Sequence, residues 1–72
     1  MRAREAHQLR VGQFVVTSYG TSHRKGQINK IEWPHFVVTS TLENGKDRQV
    51  RRQYRSIHSI EDYTRQYGPP RG

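Results

Sequence analysis

The chain contains no cysteine, so disulfides, thiolate zinc sites and cysteine nucleophiles are all excluded. Long hydrophobic runs are missing as well. The longest are three residues, Phe14–Val16 and Phe36–Val38, against the ~20 that a membrane-spanning helix needs. Arg2 and Arg4 are followed by no apolar stretch, so the first residues do not read as a signal peptide. Only 31% of the 72 residues are hydrophobic, and a chain this small buries only about 60% of its unfolded surface. The expected core is therefore thin, about 12 to 15 side chains. A single domain leaves no cleft between lobes, and no small-molecule substrate is expected. Acidic residues are scarce, 6 against 13 Lys and Arg, for a net charge of +7. These absences leave a small, soluble, basic, cytoplasmic domain whose partner should be anionic.

Catalytic constellations are missing too. His7, His23, His35 and His58 form no i, i+4 pair, so no metal site is expected. Glu61 and Asp62 are adjacent carboxylates and read as the start of a terminal turn, not as an acid–base pair. No serine or threonine sits in a nucleophile elbow or a phosphate-binding loop. The chain is expected to be a binding protein and not an enzyme, with no catalytic residue, metal or cofactor.

What is present is strand chemistry. Gln13–Ser18 is rich in β-branched and aromatic residues and follows a glycine. A polar stretch from Tyr19 to Gly26 reads as a loop bracketed by glycines. A second strand is expected from Gln27 to Trp33, where Ile28, Ile31 and Trp33 do not share a parity, so a bulge is predicted near Asn29–Lys30. Pro34 breaks the ladder. The third strand, His35–Leu42, repeats the FVVTS of Phe14–Ser18, and Asn44–Gly45 then signals a hairpin with positive φ at both residues. A fourth strand should run from Asp47 to Arg52. Residues 50–67 allow either one amphipathic helix or a strand end, a 3₁₀ turn at Gln53–Arg55, a short strand Ser56–Ile60 and a helical turn at Glu61–Gln66. The second reading is preferred, because Ser56–Ile60 is poor in helix formers. The expected core is Val11, Phe14, Val16, Ile28, Ile31, Phe36, Val38, Val50, Ile57 and Ile60. Residues 1–10 are expected to be a basic N-terminal arm, either frayed or a short helix, 11–63 the domain, and 64–72 a flexible tail ended by Gly68, Pro69 and Pro70.

Short strands with tight turns in so few residues imply a small antiparallel sheet curled on itself. Gly12-x-x-Val15-Val16, Gly20, a basic stretch and Gly26-x-Ile28-x-x-Ile31 resemble the KOW motif of SH3-like barrels in ribosomal proteins and transcription elongation factors. The match covers about 20 of the 72 residues, with a loop one residue short and its middle glycine replaced around His23–Arg24. Arg51-Arg52-x-Tyr54-Arg55-Ser56-Ile57 resembles the end of Tudor-like barrels. The resemblance implies a mainly β, SH3-like (KOW/Tudor-like) antiparallel barrel and a role with RNA or with transcription and translation complexes.

The basic residues are unevenly spread. Lys46, Arg48, Arg51, Arg52 and Arg55 oppose only Asp47, a local charge of +4 over ten positions. Arginine's planar fork suits phosphate oxygens, and charge with exposed rings is how single strands are held. These five, with Arg24, Lys25 and Lys30, are the expected nucleic-acid-binding residues. Tyr19, Trp33 and Tyr54 are the expected stacking rings. The bland reading is that the cluster is a solvated strand edge and that Trp33 belongs to the core. The alternative partner is an acidic surface on a larger protein or complex, as for a protein-interaction module or a phage- or plasmid-encoded regulator.

Overall fold

A computed structural model describes residues 1–70 of the chain. Five antiparallel strands form one sheet: β1 (Phe14–Tyr19), β2 (Ser22–Glu32), β3 (His35–Thr41), β4 (Asp47–Gln53) and β5 (Ile57–His58). The order is β4-β3-β2-β1-β5, so β4 and β5 are the two edges of an open sheet. Two short helices, α1 (Ala3–Ala6) and α2 (Ile60–Tyr67), flank it, and a 3₁₀ turn at Tyr54–Ser56 joins β4 to β5. Neither helix is long and apolar enough to cross a membrane.

The register assigns every side chain to a face, because directly opposed residues point the same way. Val15 faces Gly26, Ile28 faces Val38, and Val38 faces Val50. With Tyr19, Phe36 and Ile57 they form the inner face and most of the core. Ala6 and Leu9 from the N-terminal segment complete it, and the Met1 nitrogen donates to the Ile57 carbonyl at 2.8 Å. The expected free arm 1–10 is therefore packed: its two small apolar side chains cover one end of the thin core. The final two positions of the expected tail, 71 and 72, lie outside the described residues. α2 spans Ile60–Tyr67, one residue longer at each end than the helical turn expected at Glu61–Gln66, so Thr64–Tyr67 lie in the helix and the expected tail is shorter.

Several local expectations change for identifiable reasons. The stretch 19–26 is not a loop. Gly20 and Thr21 make a tight turn, and Ser22–Gly26 pair with Val15–Tyr19 as the start of β2. Arg24 and Lys25 thus lie on a strand. In β1 the parity is the reverse of that expected. Val15 and Tyr19 enter the core, Phe14 is 50% exposed, and Val16 is buried on the outer face. The FVV triplet offers apolar residues to both faces, so periodicity could not choose between them. Val11 is 61% exposed, Ile31 sits at the end of the inner face and Ile60 is half-buried. The register slip between Ile28 and Lys30 falls where the mixed parity placed it.

The Asn44–Gly45 turn also differs in detail. Only Gly45 has positive φ, +82°. Its N–H donates to the Leu42 carbonyl at 2.9 Å, the Leu42 N–H donates to Lys46 at 2.8 Å, and the Asn44 side chain accepts from the Lys46 N–H at 3.0 Å. This is a longer hairpin connection with one left-handed glycine, not a two-residue turn with two. After the 3₁₀ turn, Ser59 caps α2 by accepting from the Asp62 N–H at 3.1 Å, and Gly68 ends it by donating to Thr64 at 2.9 Å. Residues 50–67 are the strand, turn and helix succession, not one helix.

Of the described glycines, Gly26 has the least room for a side chain. A Cβ there would lie 2.6 Å from Val38 Cγ1, 2.8 Å from the Thr39 carbonyl and 3.2 Å from the Tyr19 hydroxyl. Across that gap Tyr19 reaches from β1 over β2 to donate to the Val38 carbonyl at 3.3 Å. Gly45, by contrast, has open space around it and only its backbone conformation to satisfy. Gly26→Ala should therefore destabilise the fold by about 1–3 kcal/mol through overpacking, and Gly45→Ala by about 1 kcal/mol through backbone strain. Urea unfolding checks both; a Gly26→Ala variant as stable as the parent would show that the close approach is not tight.

Candidate functional site

Three expected basic residues meet on the inner face. Arg24 on β2 opposes buried Thr17, Arg48 on β4 opposes buried Ser40, and Arg52 opposes buried Phe36. All three therefore share the parity of the core. They surround Tyr19, whose hydroxyl is raised above its ordinary value by burial, while Ser40 and the charges of Arg52, Arg48 and Arg24 pull it down. The Arg24 side chain is only 12% exposed, and its Nη2 lies 3.4 Å from the Glu43 carboxylate in the β3–β4 turn. Among the described residues, neither Arg48 nor Arg52 has a carboxylate within 4 Å. Arg52 spends one N–H on the Arg51 carbonyl at 3.0 Å.

The other cations go elsewhere. Lys30 and Arg51 flank Val37 on the outer face and share Glu32, at 3.5 Å and 3.1 Å. The Arg51 hydrogen bond, with Lys30 beside it, holds the Glu32 carboxyl below its ordinary range. Lys25 is also on the outer face, its Nζ 5.7 Å from the centre of the Phe14 ring. Lys46 lies in the hairpin connection, exposed. Arg55 is in the 3₁₀ turn, 5.9 Å over the Tyr54 ring. The eight basic residues thus divide into an inner trio, an outer group and two outliers. The alternation of β4 produces that division, sending Arg48 and Arg52 one way and Arg51 the other.

The expected stacking rings are largely occupied. Tyr19 is buried and bonded in the core, so no base can reach its face. Trp33 is 42% exposed, but His7 stacks on it at 3.9 Å and Tyr54 at 5.2 Å, with Phe36 edge-on at 6.0 Å. Tyr54 gives one face to Trp33 and has Arg55 beside it. Phe14, which sequence parity had assigned to the core, is instead half exposed with Lys25 5.7 Å from its centre, and Tyr67 of α2 is 68% exposed. The exposed-polar company Phe14 keeps on neighbouring strands was the missing signal, and that requires the register.

A second aromatic group sits on the outer face beneath α2. His23, His58 and Tyr63 lie 5.6–6.1 Å apart, and Tyr67 lies 5.0 Å from Tyr63. Among the described residues, no three His, Asp or Glu side chains converge as metal ligands.

No family model, curated protein sequence or solved structure matches this chain. The site is therefore read from its own geometry.

Burial pushes His58 below its ordinary value of 6.5; the N-terminal ammonium and His23 add to the effect, and Asp62 opposes it. The fold thus binds this proton less well than the unfolded chain does. Stability should be complete above about pH 6.5 and fall as the pH drops through the lowered folded value. Thermal unfolding between neutral pH and pH 5 checks this: His58→Gln should flatten the acid-side decline, and an unchanged profile would assign it to other groups.

Proposed function

We propose that this chain is a non-enzymatic accessory protein that binds RNA or DNA phosphates through Arg48 and Arg52, with Arg24 behind them. The observation that carries the reading is the pair of guanidinium groups without carboxylate partners among the described residues on one face, while Lys30 and Arg51 on the other share Glu32. Planar, unneutralised guanidiniums are matched to phosphate oxygens, and buried Tyr19 and Ser40 below give them a firm base. The contacts go to the backbone of the nucleic acid, so binding has low sequence specificity.

The antiparallel order and the 3₁₀ turn between the last two strands are compatible with an SH3-like barrel of KOW or Tudor-like type. That likeness supports a cytoplasmic role with RNA or with a transcription or translation complex.

Salt dependence tests the reading. Three to five phosphate contacts give a slope of log affinity against log salt of about −2 to −4 for single strands. Arg48→Gln with Arg52→Gln should remove about two contacts and flatten that slope by about 1.4, with an unchanged circular dichroism spectrum. An unchanged slope would make the pair a solvated edge. Capture of a protein from nuclease-treated lysate by the parent, lost in the double variant, would then favour docking on an acidic protein surface.

A further inference from the structure

The outer face holds a groove of about 410 Å³ that none of the inner arginines lines. Its lining comes from two rows across the sheet. Phe14, Gln27 and Thr39 oppose one another in turn, and beside them lie Lys25 and the Thr41–Asp47 pair. The bulge adds Asn29 to the same surface, where its amide nitrogen bonds the Thr39 hydroxyl. α2 packs on β1, and its Tyr63 lies against His58, which pairs with Val16, and His23, which pairs with Ser18. Phe14, two residues before Val16, remains half exposed.

The chemistry of that groove is specific. A half-exposed aromatic ring stands on the outer face with an ammonium 5.7 Å from its centre. Gln27 donates its amide N–H to the Gly12 carbonyl at 2.9 Å, leaving the amide oxygen as an acceptor. Asp47 accepts from Thr41 at 3.0 Å at the far end. That carboxylate disfavours a phosphate there and favours the amino edge of a base, while Lys25 favours a phosphate near Phe14. A double helix keeps its bases stacked on one another and cannot offer a ring to Phe14; an unpaired nucleotide can.

We propose that the outer face is a platform for one unpaired nucleotide of a single strand. The base stacks on Phe14, the adjoining phosphate sits at Lys25, and the base edge turns toward Gln27, Asn29 and Asp47. This rests on the nucleic-acid reading above and narrows it to single strands.

The test is fluorescence anisotropy with a fluorescein-labelled oligonucleotide of about twelve nucleotides, in RNA and DNA form, free and annealed to its complement. Phe14 is outside the core cluster, so its replacement should leave the circular dichroism spectrum intact. Phe14→Leu should weaken single-strand binding about 5- to 100-fold, the range for loss of one stacked base, with an unchanged salt slope. Phe14→Tyr should restore it, and Lys25→Gln should reduce the slope by about 0.7. Duplex binding should not respond to Phe14→Leu. If the parent binds single strands and Phe14→Leu binds them equally well, or loses single strand and duplex alike, the platform is overturned and the arginine reading stands. If the parent binds neither form, both readings fall together.

Discussion

The approach of Tyr19 to β3 over the bare Cα of Gly26 organises the rest of the molecule. The phenol of β1 must cross a whole strand to reach the Val38 carbonyl, and it can do so only where β2 presents no side chain. That crossing ties three strands at one point. Val15, Ile28, Phe36, Val38 and Ile57 fill the inner face around it, and Ala6 and Leu9 complete the cluster. A flat sheet with these few apolar residues would leave them half wet.

Strand alternation settles where charge can go. Arg24, Arg48 and Arg52 share the parity of the core, Arg48 and Arg52 on either side of Val50, and all three charges act on the Tyr19 hydroxyl. On the outer side, Glu32 gathers Lys30 and Arg51, and the histidine–tyrosine group lies against α2. One sheet of ordinary alternation therefore carries two surfaces of different character. The inner arginines lack a shared carboxylate among the described residues, whereas the outer face has a ring, amides, Lys25, and Lys30 and Arg51 held by Glu32.

Punctuation in the sequence was more legible than facing. The bulge at Asn29, the hairpin at Gly45, the break at Pro34 and the turn before β5 can each be read from local residue types, because each is a local backbone requirement. Facing is different. Phe14-Val15-Val16 is apolar at every position, and only the pairing of Val15 with Gly26 decides which residue goes inside. Ser22–Lys25 looked like loop because its residues are polar, yet strand pairing with Val16–Tyr19 needs only backbone groups. The N-terminal ten residues looked free because Ala6 and Leu9 are a weak apolar signal. Their burial depends on a core too small to close itself. The division of the basic cluster was half visible: alternation separates Arg51 from Arg48 and Arg52, but the pairing of Arg51 with Glu32 is a fact of register alone.

The three-ring stack of His7, Trp33 and Tyr54 makes the molecule self-reporting. The chain has one tryptophan, and its indole is held between a ring that follows α1 and a ring from the 3₁₀ turn. Neither the inner arginine group nor the outer groove includes it. Its emission therefore follows the seating of the N-terminal segment on the β4–β5 corner. Detachment of that segment would uncover one face of the indole while the sheet remained paired, giving an optical signal for partial opening that is separate from global unfolding.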